Sequence, residues 1–350
     1  MSLLQLVVGP EARYQIEHHG LASGLFDKWI AASGGPKWLP LAPLERHLIE
    51  HFIPAQQPMT FMGTSSGAWR CAALCHPDPV NAHQRLQQGY IGQWYEVQPS
   101  PEEVEQQCRA LLSQAFAEAD RAAMLAHSHR HLNLIVCHGR GLVASDKRAV
   151  VAAGAAMSSL LNLFGRRNLA AFWRRWVLHA KADTPFAGMT DLPSSNTQLT
   201  ANGLLDALLA SGSIPMVLRG VKDLPNTEPG YYYDGGVTDY HLDLPALQHG
   251  GLTLYPHFYA NAAPGWFDKA LPWRRASANF RKVAMLVPSP QFVARLPGGK
   301  LPDRSDFAQW SNQQRTDNWH RAVDMGHELV EAFTQLQQDP QRGMVSLGQA

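Results

Sequence analysis

Short apolar runs alternate with longer stretches of helical spacing along most of this chain. Lys28-Trp29-Ile30-Ala31-Ala32 stops at Ser33-Gly34-Gly35-Pro36, the pattern of a buried strand that ends in a Gly-rich turn. From Leu41 to Phe52, Leu44, Leu48 and Phe52 recur every fourth residue with Ile49 beside them, which predicts one helical face. Thr60-Phe61-Met62 predicts the next strand. Gly63-Thr64-Ser65-Ser66-Gly67 breaks it, and Ala68 to Leu74 reads as a small-residue helix. Strand, helix, strand, helix in this order predicts parallel pairing through a crossover.

Further along, 101–126 and 149–180 are rich in Ala, Leu, Gln and Arg and predict helices. His131 to Cys137 predicts a strand between them. Asn202 to Ala210 predicts a helix stopped at Ser211-Gly212-Ser213-Ile214-Pro215, and Tyr231-Tyr232-Tyr233 a strand leading into Asp234-Gly235-Gly236. Leu252 to Tyr255 and Val283 to Val287 predict later strands. Trp319 to Leu336, with Val323, Met325, Leu329 and Phe333, predicts a closing helix. The Pro- and Gly-rich stretch 288–302 predicts an exposed loop or a weak boundary. The fold class is α/β, with a mainly parallel central sheet and flanking helices.

Composition narrows the function. Apolar residues make up 45% and charged residues 17% of the 350 positions, the balance of a globular chain with ample material for a core. A formal net charge of +1 gives no electrostatic reason to expect a nucleic-acid partner. Cys71, Cys75, Cys108 and Cys137 are too few and too scattered for a disulfide framework, which favours a reducing compartment. Leu3 to Val8 is too short for a signal-peptide core and has no basic flank. No run approaches the roughly 18 apolar residues of a transmembrane segment. The expectation is a cytoplasmic protein, with peripheral membrane contact left open.

Candidate chemistry centres on Ser65. A serine hydroxyl needs an activating base and an exposed position. A Gly-x-Ser-x-Gly elbow between strand and helix supplies the exposure, and Gly63 and Gly67 flank Ser65 at that spacing. The same five residues would also suit a plain turn with Ser65 or Ser66 as helix N-cap. About thirty residues earlier, Ser33-Gly34-Gly35-Pro36-Lys37 could aim backbone N–H groups at a developing oxyanion; Pro36 has no N–H and suits a first helical turn. Asp234 at a strand end could take the serine proton, although Asp-Gly is also an ordinary turn signal.

These segments, taken in order, resemble the patatin-like phospholipase family: a Gly-Gly-x-Lys loop, a Gly-Thr-Ser-Ser-Gly elbow and an Asp-Gly-Gly turn. Ala210-Ser211-Gly212-Ser213-Ile214-Pro215 resembles the family's Ala-Ser-x-Ser-x-Pro stretch. The resemblance implies a three-layer α/β fold and a lipid acyl hydrolase acting on an acyl lipid or ester, with no cofactor and no metal. It implies a dyad of Ser65 and Asp234, an oxyanion loop of Gly34, Gly35 and Lys37, and turn glycines Gly63, Gly67, Gly235 and Gly236. It also implies a catalytic core over 28–247, an extension over 1–27, and C-terminal elements over 248–350 completing the same fold. Ser33 and Trp38 stand where the family's loop carries glycine. Ser33 could narrow the loop; Trp38 could pack below the site or restrict an acyl pocket.

Three other readings compete. A Ser-His-Asp triad could draw on His241, His257 or His320, but the elbow comes early and no histidine stands directly before the glycine loop. His127, His129 and His131 alternate as zinc ligands can on an extended segment, yet they precede a strand rather than follow one. Trp173, Arg174, Arg175, Trp176 and Leu178 mix aromatic and basic residues as interfacial helices do, which would suit an inactive lipid-binding module; an ordinary packed helix explains the segment too.

Overall fold

The computed structural model describes residues 2–96, 99–276 and 278–348. Eleven strands form among them: β1 Leu4–Val8, β2 Phe26–Ala31, β3 Met59–Gly63, β4 Arg130–Gly139, β5 Trp173–His179, β6 Ser194–Gln198, β7 Val221–Lys222, β8 Tyr231–Asp234, β9 Leu252–Pro256, β10 Val283–Pro288 and β11 Met344–Ser346. They make one sheet in the order β11-β1-β10-β9-β2-β3-β4-β5-β6. Its centre, β10-β9-β2-β3-β4, is parallel. β1 lies within this sheet, antiparallel to β10 and parallel to β11. Strands β9 and β10 are buried along their whole length, as expected where helices cover both faces of a parallel sheet.

On the far side of β4 the topology changes. β5 runs antiparallel to β4 from Asn133↔His179 to Gly139↔Trp173. On its other edge, β4 pairs first with β3 and then with β8. Gly63 of β3 faces Leu134, and Asp234 of the antiparallel β8 faces Val136. β3 and β8 therefore meet end to end along one edge of β4. That meeting point positions the site.

The alternation of strands and helices anticipated by the sequence holds for β2, β3, β4, β8, β9 and β10. The stretch 149–180 does not stay helical. A helix spans Arg148–Phe164, Gly165 ends it with φ 149°, and Trp173–His179 is β5. Trp173 and Trp176 are buried there, and Arg175 is fully buried against Asp239 and Asp191. The helix weighed for 168–179, interfacial or ordinary packed, is thus a short helical turn followed from Trp173 by a core strand, because long-range pairing with β4 and β6 outweighs local helix preference. The expected single closing helix is two, Asn312–Met325 and His327–Gln338, and 101–126 likewise splits into Pro101–Ala115 and Glu118–Leu125. The stretch 288–302 carries a helix, Pro290–Arg295, and buries Phe292, Leu296 and Leu301, so it is not a loose boundary.

Candidate active site

Ser65 lies at the turn between β3 and the helix Ser66–Leu74. Its φ of 55° and ψ of −132° are a conformation few non-glycine residues adopt, at a cost of order 1–3 kcal/mol. The turn closes so tightly that a Cβ on Gly67 would lie 1.9 Å from the Ala31 carbonyl oxygen of β2. Only glycine fits there. The strain is held by Ser211, whose hydroxyl accepts from the Ser65 N–H at 3.0 Å and donates to the Ile135 carbonyl at 2.8 Å.

Asp234 ends β8 and is buried. Its backbone N–H donates to the Ser213 carbonyl at 2.9 Å, and its Oδ1 accepts from Gly236 N–H at 2.7 Å. Asp234 lines the same cleft as Ser65 and Ser33, and interaction with both hydroxyls favours its charged form. Burial raises its pKa from 3.8 to about 6; the bonds from Ser65, Gly236 and Ser33 and the charge of Arg304 oppose the rise without cancelling it. The Ser33 hydroxyl donates to Thr64 Oγ1 at 2.9 Å. A Cβ on Gly236 would fall 2.4 Å from Ser33 Oγ and 3.0 Å from Asp234 Oδ1, so Ser33 and Gly236 share space that two side chains could not. Gly235 packs beneath, where a Cβ would meet the Ile135 carbonyl oxygen at 2.2 Å.

A two-lobed cleft opens over these groups. One lobe, of about 470 Å³, is lined by Ser33, Gly34, Gly35, Ser65, Asp234 and Gly236, together with Lys37, Arg148, Lys269 and Arg304. The other, of about 290 Å³, is mainly apolar and includes Trp69, Tyr90, Val104, Leu218 and Phe307. Ser65 and Arg304 line both. Lys37 is paired with Asp303. Burial tends to raise the Asp303 carboxyl, but the bond from Lys37, its charge and the bonds from Ser305 together outweigh it and leave the pKa at about 2. Burial, followed by the nearby Lys37 charge, lowers the pKa of Lys269. Among the described residues Arg148, Lys269 and Arg304 have no carboxylate within 4.0 Å, which makes this lobe electropositive.

Trp38 packs below the loop, edge-on to His83 and Tyr90 and under the Arg70 guanidinium, and it does not line either lobe. Arg70 is fully buried, paired with Glu45, and donates to the Ala32 carbonyl at 3.1 Å. It thereby braces the residue that precedes Ser33.

The three candidate histidines lie elsewhere. His241 and His257 pack ring to ring at 4.4 Å in the core; burial holds the pKa of His241 well below its usual value and that of His257 at about 3. His320 is exposed on the helix Asn312–Met325. No described residue lining the two lobes is a histidine. The His127 ring accepts from the His129 and Arg130 N–H groups, a local turn contact. Among the described residues no group of three or more His, Cys, Asp or Glu is arranged to hold a metal. All four cysteines are free and buried.

Sequence reasoning missed Arg148, Lys269 and Arg304, which come from three separate segments with no shared pattern. It found Ser211 within a motif but not its part in holding Ser65.

A serine on a strained strand-to-helix turn, inside a cleft at the C-terminal ends of parallel strands, defines an α/β protein built around a Gly-x-Ser-x-Gly turn. The family model for patatin-like phospholipase matches residues 51–242, more than half of the chain, and the protein belongs to that family of lipid acyl hydrolases. No curated protein matches the chain significantly. No helix among the described residues is long and apolar enough to cross a membrane.

Proposed function

We propose that this protein is a serine acyl-ester hydrolase in which Ser65 is the nucleophile and Asp234 its base. The observation that carries the reading is that Ser65 and Asp234 line one cleft, with Ser65 N–H and Asp234 N–H each tied to the segment Ser211–Ser213 and the Ser65 hydroxyl favouring the charged carboxylate. In the first half-reaction Ser65 Oγ attacks the acyl carbonyl carbon and its proton passes to Asp234. The oxyanion forms beside Gly34 and Gly35, with Lys37 behind them. Collapse breaks the ester bond, and the departing alkoxide takes the proton from Asp234. Water then attacks the acyl-enzyme, Asp234 accepts a proton from it, and Ser65 is released with that proton restored. No cofactor enters these steps.

A carboxylate with a pKa of about 6 suits this work, being ionised at neutral pH yet more basic than a free aspartate. The apolar lobe fits an acyl chain and the electropositive lobe an alcohol portion bearing negative charge. Free thiols throughout favour a reducing, cytoplasmic setting.

A fluorophosphonate probe and a chain-length series of p-nitrophenyl esters, run beside phospholipid release, test the reading. Wild type labels and turns over; Ser65→Ala does neither, and Asp234→Asn loses turnover. Equal activity in all three would remove the proposal. Loss of turnover from a folded His241, His257 or His320 variant would replace the dyad with a triad.

A further inference from the structure

The helix Arg148–Phe164 is unusual for a surface element. Its only charged residue is Arg148. It turns Val151, Gly154, Ala155, Ser158 and Asn162 inward and leaves Met157, Leu160, Leu163 and Phe164 exposed, Phe164 at 85%. Trp273, 72% exposed, stands beside the helix end, because its neighbour Arg274 donates to the Asn162 and Leu163 carbonyls at 2.5 and 3.0 Å. The buried carboxylate of Asp268 accepts from Asn162, Arg166 and Arg274, so helix and loop are held as one surface. Half of the ten exposed large hydrophobic side chains among the described residues fall between Leu142 and Phe164. Exposed apolar groups gathered in this way mark a contact surface.

Charge identifies the partner. From Lys147 to Ala182 the sequence contains seven Lys or Arg and no Asp or Glu. Of these, Lys147, Arg148 and Arg167 are exposed around the apolar face, with Lys269 nearby. Basic residues flanking exposed apolar side chains are the chemistry of an interfacial element on an anionic lipid surface. Position agrees with this. A depression floored by Ala152, Ala155, Ala156 and Ser159 shares Met216, Trp266 and Lys269 with the lobe that holds Ser65. The apolar face therefore runs to the mouth of the cleft.

We propose that Met157, Leu160, Leu163, Phe164 and Trp273 insert into the surface of an anionic lipid bilayer, with Lys147, Arg148 and Arg167 against its headgroups. A lipid would then pass from bilayer to cleft without crossing open water. The proposal extends the hydrolase reading but does not require it, since binding is also read on Ser65→Ala.

The test is cosedimentation of the full chain with vesicles of phosphatidylcholine alone or mixed with phosphatidylglycerol. Wild type and Ser65→Ala bind the mixed vesicles at least tenfold more tightly than the neutral ones. The double variant Leu160→Glu/Phe164→Glu loses that binding by at least tenfold, with its unfolding midpoint and its turnover of a water-soluble short ester unchanged. Absence of vesicle binding by wild type, no preference for the anionic vesicles, or undiminished binding by the double variant overturns the proposal. So does a wild-type dimer in sedimentation equilibrium that the double variant dissociates, which would assign the face to a second copy.

Discussion

Ser211 accepts a hydrogen bond from the Ser65 N–H at 3.0 Å and donates one to the Ile135 carbonyl at 2.8 Å. Ile135 sits between Leu134, which faces Gly63, and Val136, which faces Asp234. Three consecutive residues of β4 thus set the end of the strand before Ser65, the Ser65 backbone and Asp234.

Removing that link should cost more than a hydrogen bond. Ser211→Ala leaves the Ser65 N–H and Ile135 carbonyl buried without their partner, a penalty of about 1–3 kcal/mol each. Turnover should fall by roughly 10- to 100-fold through misplacement of Ser65. Steady-state kinetics with a soluble ester, beside thermal unfolding, would measure both. Unchanged kcat would show that the elbow holds its shape alone.

Activity should depend on pH through Asp234. The base works ionised, so kcat/KM should rise with pH through about 6 and level off above it. Interaction with the Ser33 hydroxyl favours the charged form of the carboxylate. Ser33→Ala should move the midpoint upward; a downward shift would contradict this role.

The same carboxylate should weaken the fold it serves. Below pH 3.8 the aspartate is protonated folded or unfolded; between 3.8 and about 6 the folded chain alone keeps the proton. Raising pH through that window therefore destabilises the native state, by about 3 kcal/mol at most. Asp234→Asn should abolish turnover and raise the unfolding midpoint at pH 7.5, with the advantage shrinking as pH falls below 6. A variant less stable than wild type at pH 7.5 would refute this account.

Ser33 and Gly236 should be exchangeable only together. Gly236→Ala drives a methyl group against Ser33 Oγ and Asp234 Oδ1, so its activity should fall at least tenfold. Adding Ser33→Gly removes the nearer obstacle and should restore part of the loss. No recovery in the double variant would mean that the clash with Asp234 dominates.

The parts of the site legible in the sequence are those where the backbone itself makes a demand. Gly67 must be glycine because β2 passes within contact of it, and the strand-to-helix turn at Ser65 can be read from its neighbours. The electropositive lobe was invisible because Arg148, Lys269 and Arg304 are exposed residues on distant segments. β5 was misread because its Trp-Arg-Arg-Trp core suits a helix, while Asp239 and Asp191 make Arg175 a fully buried residue. The helix Arg148–Phe164 was expected, but its exposed apolar face depends on what packs around it.

The end-to-end meeting of β3 and β8 also sets an order in time. Ser65 belongs to the first fifth of the chain and Asp234 follows 169 residues later, so bringing the proposed nucleophile and base together closes a long loop. During synthesis the oxyanion loop and elbow emerge long before β8 can dock beside β4. A nascent chain that has not reached residue 234 carries a serine with no base and cannot attack an ester through this dyad. The topology keeps the hydrolase unarmed until most of its sheet is in place.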